Sequence, residues 1–128
     1  MRDTVGWLTA IGSYVCANSF GTMVGTPTVF LTEMPQSPDN CIALIAHGGP
    51  PAQGPNRRSA LQILVRNTSN LTALTKASSL FQLFDDKWCP LGAAYPGRFT
   101  ADHEPGLHTQ DESGHSLYSL NFTFHSVL

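Results

Sequence analysis

Residues 34–66 read MPQSPDNCIALIAHGGPPAQGPNRRSALQILVR, and the fold turns on how this stretch is parsed. Pro35 and Pro38, then the turn formers Asp39 and Asn40, precede an apolar run from Cys41 to Ala46 that ends at His47. A breaker cluster follows, from Gly48-Gly49-Pro50-Pro51 through Gly54-Pro55-Asn56, and then a second run from Ala60 to Val65. Short runs rich in Ile, Leu and Val between Pro, Gly, Asn and Asp read as strands. The two runs are expected to be neighbours in an antiparallel sheet, joined by a loop too long for a tight hairpin.

Outward from this centre, the 128 residues predict one domain with a single core. The charged fraction of 12% is well below the ~25% of ordinary globular domains, so much of the surface must be Ser, Thr, Asn, Gln and backbone. A net charge of −2 offers no basic footprint for nucleic acid. No run of apolar residues is long enough to span a membrane. The apolar stretch Val5–Cys16 resembles a signal peptide only weakly, being interrupted by Thr9, Gly12, Ser13 and Tyr14. Cys16, Cys41 and Cys89 are odd in number and far apart, which predicts reduced thiols rather than a disulfide framework or a zinc site. Three N-x-S/T sequons, at Asn67, Asn70 and Asn121, read as chance matches in a chain rich in Ser and Thr.

Asp3 to about Ala17 reads as an amphipathic helix with Val5, Leu8, Ile11 or Gly12, and Val15 on one face. Asn18–Thr28 should be irregular, and Val29–Leu31 a short strand or extended segment. Asn67-Thr68-Ser69-Asn70 supplies N-caps for a second helix from about Leu71 to Phe84. Its apolar face is expected to be Leu74, Ala77, Phe81 and Phe84, with Leu80 beside them, packed on the sheet. Arg98–Ala101 begins a third strand, and Asp102–His115 is expected to be a long polar loop. Tyr118, Leu120, Phe122 and Phe124 then alternate with Ser119, Asn121, Thr123 and His125, the mark of a strand with one wet face. The fold class that follows is α+β: an antiparallel sheet of about four strands with two helices on one face.

Chemistry has few footholds. Asp102, His103, Glu104, His108, Asp111, Glu112 and His115 bring together ligand types suited to zinc or another first-row ion. Their spacing matches no H-E-x-x-H or comparable signature, and a solvated loop, or one ordered against a partner, accounts for them equally well. Gly48-Gly49 lacks the Lys-Ser/Thr pair of a phosphate loop, and no nucleophile elbow is present. The expectation is therefore no enzyme, no cofactor and no metal, with a metal-binding module on the 102–115 loop as a rival reading and a secreted glycoprotein as another.

The order of motifs is more informative than any one of them. Pro35, Pro38, Asp39 and Asn40 lead into a strand that exits at Gly48-Gly49. A second strand carries Gln62, Val65 and Arg66, and Asp111, Glu112 and Gly114 form a turn into a strand with Asn121 and Phe122. This succession, from Met34 to Phe124, resembles the small minor capsid or tail-terminator proteins of tailed bacteriophages. His115 stands where that pattern usually has Arg, the Pro50–Arg58 loop is longer, and Trp88-Cys89-Pro90 has no counterpart.

The resemblance implies a structural virion protein: a ring, expected to be hexameric, that caps the tail tube and joins it to the head-completion (stopper) protein. It implies assembly in the host cytoplasm, a place at the head–tail interface, and DNA passing through the lumen without specific binding. Another neck, connector or minor capsid role is the alternative. Arg57, Arg58 and Arg66 are the expected partners, across copies, of Asp102, Glu104, Asp111 and Glu112. The Gly48–Arg58 and Glu104–His115 loops are the expected contacts with tube or stopper.

Overall fold

The computed structural model describes residues 4–47, 57–110 and 114–126. Helix α1 (Thr4–Ala17) is followed by strands β1 (Val29–Leu31), β2 (Cys41–His47) and β3 (Arg57–Asn67), then by helix α2 (Asn70–Phe84). Strands β4 (Lys87–Trp88), β5 (Gly97–Ala101), β6 (Gly106–Gln110) and β7 (Ser116–Ser126) complete the chain. The sheet runs β1-β2-β3-β7-β5-β4, and β6 pairs with β7 beside β5. The α+β class is as expected, but the sheet is larger than about four strands and is mixed rather than antiparallel.

The parallel pair is β1–β2, with Val29 opposite Ile42 and Leu31 opposite Leu44. A parallel neighbour requires the chain to return along the sheet before β2 begins. Thr32, with φ of 80°, turns the chain off the sheet edge. The connection then crosses the sheet, where Arg66 of β3 donates to the backbone oxygens of Pro38 (2.7 Å) and Asp39 (3.1 Å). The long antiparallel ladders lie at the centre: β2–β3 runs from Cys41–Arg66 to His47–Ala60, and β3–β7 from Arg57–Ser126 to Asn67–Ser116.

The expected polar loop 102–115 is the second correction. Gly106–Gln110 pairs with the first part of β7 while β5 pairs with the last part, so β5 and β6 are one edge strand interrupted at Asp102–Pro105. Its pairing is supplied by backbone groups, which a run of acids and histidines does not advertise.

Alternation sorts the sheet into two faces. Val29, Ile42, Leu44, Leu61, Ile63, Val65, Phe99, Leu120, Phe122 and Phe124 are buried and form one core cluster with both helices. Both helices therefore lie on the same face, as the sequence predicted. The contact is largely aromatic: Phe99 lies 4.6 Å from Phe124 and 5.1 Å from Phe84, and Trp7 5.6 Å from Phe124, between ring centroids. These separations are within the range where ring pairs add to simple burial.

Helix α1 buries Leu8, Ile11, Gly12 and Val15 as expected, with Trp7 in place of Val5, which is 75% exposed; α2 is rotated slightly from expectation. In α2 the buried residues are Ala73, Ala77, Leu80 and Phe84; Leu74 is 40% exposed and Phe81 half-buried. Small side chains at 73 and 77 let α2 lie close to β3 and β7, and that closeness selects them over the larger Leu74. The cap is as read: the Ser69 hydroxyl accepts from the Thr72 N–H at 3.2 Å.

Candidate functional site

With both helices on one face, the other face of the sheet carries no helix among the described residues. It bears Cys41, Ala43, Ile45 and His47 from β2, and Arg58, Ala60, Gln62, Leu64 and Arg66 from β3. From β7 come Leu117, Ser119, Asn121, Thr123 and His125. Three zones divide it.

At one end the motif residues converge. Arg66, 9% exposed, grips the Pro38 and Asp39 carbonyls. Asn40 Oδ1 accepts from the Thr68 N–H at 2.9 Å, tying the same turn to the start of α2. His115 Nε2 stands 3.7 Å from Asp39 Oδ1, so the turn feeding β7 also meets this corner. Gly114, just before it, has φ of 82°, a conformation that favours glycine. Met34 Sδ lies 3.1 Å from Cys41 Sγ beneath the loop. Burial pushes the Cys41 thiol up, and the Arg66 guanidinium opposes that shift. Pro35 is half-buried in the same loop, whereas Gly48, Gly49, Asp111 and Glu112 lie outside the described residues.

Across the middle runs a polar row. His47 Nε2 is 3.2 Å from Gln62 Oε1, Gln62 sits opposite Asn121, and Asn121 Nδ2 is 2.8 Å from His103 Nε2. Asp102, expected to face another copy, accepts from the Thr123 hydroxyl at 2.8 Å, and Glu104 is exposed beside it. Both residues lie in the interruption between β5 and β6. Among the described residues, no group of three or more His, Cys, Asp or Glu could hold a metal ion.

The far end is cationic. Arg58 stands opposite His125, His125 opposite Arg98, and Arg98 opposite Trp88, in one line across β3, β7, β5 and β4. Arg98 Nε donates to Asp86 Oδ1 at 2.8 Å, and its guanidinium lies 5.6 Å from the centre of the Trp88 ring. Trp88 itself is 65% exposed. Sequence reasoning passed over Trp88, Arg98 and His125; an aromatic inside the polar stretch Asp85–Cys89 was the available signal.

Extended loops ordered onto a sheet, a sheet face free of helices among the described residues and low surface charge suit a protein that works by contact. The sequence model for the bacteriophage tail terminator protein family matches residues 11–127, which is nearly the whole chain. The chain belongs to that family. It is a family of structural tail proteins rather than catalysts, which makes this protein a virion component. The match takes in all three zones, from the Pro38–Asn40 turn to the end of β7. No curated protein matches the chain. Among the described residues, no helix is long and apolar enough to cross a membrane.

Proposed function

We propose that the protein terminates the phage tail as a ring of identical copies, expected to be six, which caps the tail tube and docks the head-completion (stopper) protein. The observation that carries this reading is the family match over residues 11–127. The architecture supports it. A ring closes through two different patches on each copy, and this sheet has two chemically different edges and, among the described residues, a face without helices. Arg57 and Arg58 stand at the start of β3, and Asp102 and Glu104 in the interruption of the β5–β6 edge. Across a ring contact such groups form charge-assisted pairs, with Asp111 and Glu112 in the same acidic segment. Arg66 is engaged within its own chain and acts by fixing the loop that carries Asp39. DNA passes through the lumen without specific contacts, in keeping with the net charge of −2.

The test is the mass in solution by light scattering, with negative-stain images of the same sample, alone and mixed with tail tubes. Rings in solution or at tube ends, with tube growth stopped, are the expected result. Protein that never associates and leaves tube length unchanged would refute the proposal.

A further inference from the structure

The two edges of the sheet are complementary in shape and chemistry. At one edge, β4 has two residues, both exposed, between Asp86 (φ 57°) and Cys89 (φ 47°). Left-handed residues on both sides stop this edge from extending as a strand, so its prominent feature is the Trp88 side chain. Tryptophan is among the residues most enriched as anchors of interfaces. Lys87 is beside it and the Arg98 guanidinium lies over its ring.

The opposite edge holds a cleft of about 240 Å³ between the first turns of α1 and the ends of β1 and β2. Among the described residues it is lined by Val5, Leu8, Leu31, Ile45 and Ala46 together with Thr4 and Thr32, none of them charged. This is below the roughly 300–1,000 Å³ of small-molecule sites and suits a single large side chain. Pairing between β1 and β2 stops at Leu31–Leu44, so among the described residues β2 continues through Ile45–His47 with no strand on its outer side. Its edge carbonyls there offer an acceptor to an indole N–H. Glu33, exposed and next to Thr32, supplies a charge opposite in sign to Lys87.

We propose that Trp88 of one copy inserts into the Val5–Leu8–Leu31–Ile45–Ala46 cleft of the next, with Lys87 against Glu33, as the head-to-tail contact between subunits. Because β1 and β4 are the two ends of one sheet, a copy cannot fill its own cleft, and each copy presents one knob and one hole. This rests on the proposal that copies form a ring and names the contact that closes it.

The experiment uses the full chain, alone and on tail tubes. Trp88→Ala and, independently, Val5→Glu should each weaken self-association by about 30-fold or more, as truncation of an interface anchor does. Neither side chain is buried in the fold, so both variants should keep the wild-type thermal midpoint. Acrylamide quenching of Trp88 should fall as copies associate, while Trp7, 1% exposed, stays protected throughout. In the Val5→Cys variant, a short thiol cross-linker should join the introduced thiol to the exposed Cys89 of another copy and give a ladder of multimers. Rings that form equally well in Trp88→Ala and Val5→Glu, with no such cross-link, would overturn this contact and leave the ring proposal standing. Absence of any association, alone or on tubes, would overturn both.

Discussion

Replacing Arg66 tests whether one buried guanidinium sets the β1–β2 topology. Its Nε–H and Nη2–H donate to the Asp39 and Pro38 carbonyls, and it is 9% exposed. Hydrogen bonds to charged groups contribute roughly 1.5–3 kcal/mol each. Asp39 is an exposed residue, so water can replace part of what is lost at its carbonyl. Arg66→Met should therefore cost about 2–4 kcal/mol rather than the full sum of two such bonds. Lysine lacks the planar fork and reaches one carbonyl at a time, so Arg66→Lys should cost roughly half as much. In urea, with a slope of about 1–3 kcal/mol/M, Arg66→Met should lower the unfolding midpoint by about 1–2 M. A second readout is local. In the wild type, Cys89 is exposed, Cys16 intermediate and Cys41 buried, so a thiol reagent should modify Cys41 last. Loosening the loop exposes Cys41, and its modification should speed up by at least about tenfold, the equivalent of ~1.4 kcal/mol of easier opening. This gain is measured against a loss, because removing the guanidinium takes away an influence that lowers the thiol's pKa. A midpoint moved by less than about 0.3 M, with Cys41 still protected, would refute the assignment of Arg66 as the latch.

The orientation of α2 predicts that Leu74→Ser changes stability by no more than about 0.5–1 kcal/mol, whereas Ala77→Leu overpacks the helix–sheet contact and costs roughly 1–3 kcal/mol. The opposite ranking in chemical denaturation would mean the helix is turned the other way. Gly97→Ala should destabilise by about 1–3 kcal/mol, because a Cβ there would come within 2.5 Å of the His125 backbone oxygen and 2.6 Å of Phe124 Cζ. A neutral Gly97→Ala, measured by thermal melting, would show that β5 sits farther from β7. Burial pushes the Cys16 and Cys41 thiols and the Tyr14 phenol up from their ordinary values of 9.0 and 10.0. As pH rises the unfolded chain releases these protons first, so the stability they contribute is intact below those values and is lost as pH climbs toward the folded ones. The urea midpoint should decline from pH 8 to pH 10, less steeply in Cys41→Ala, and a flat profile would sink this assignment.

What could be read from the chain was what is written locally. Strand β7 alternates apolar with polar residues from Tyr118 to His125 because one face meets the helices and the other does not, and the Ser69 cap is a property of four adjacent residues. The parallel β1–β2 pair was not legible, because the loop that returns the chain is fastened from afar, by Arg66, 27 residues beyond the Asp39 carbonyl it binds. Nor was β6, a five-residue strand of sequence GLHTQ set between acidic segments, with no apolar alternation to mark it while its backbone pairs with β7. The face of α2 departs from the apolar pattern by one position for a related reason. Apolar periodicity counts large side chains such as Leu74, but at 73 close approach to the sheet favours alanine.

The same distinction separates motif from function. Pro38, Asn40, Val65, Arg66, Gly114 and Phe122 led to the family, and most of what they do is hold the sheet together: carbonyls gripped, a turn permitted, a core filled. Trp88 and the cleft around Val5 form no motif, since one is a lone aromatic on a two-residue strand and the other is assembled from α1, β1 and β2. A contact between copies has to tolerate exposure before assembly, so its residues are not those that the fold itself buries. Assembly function in this chain is therefore more readily sought at the sheet edges and the face without helices than at the residues that identify the family.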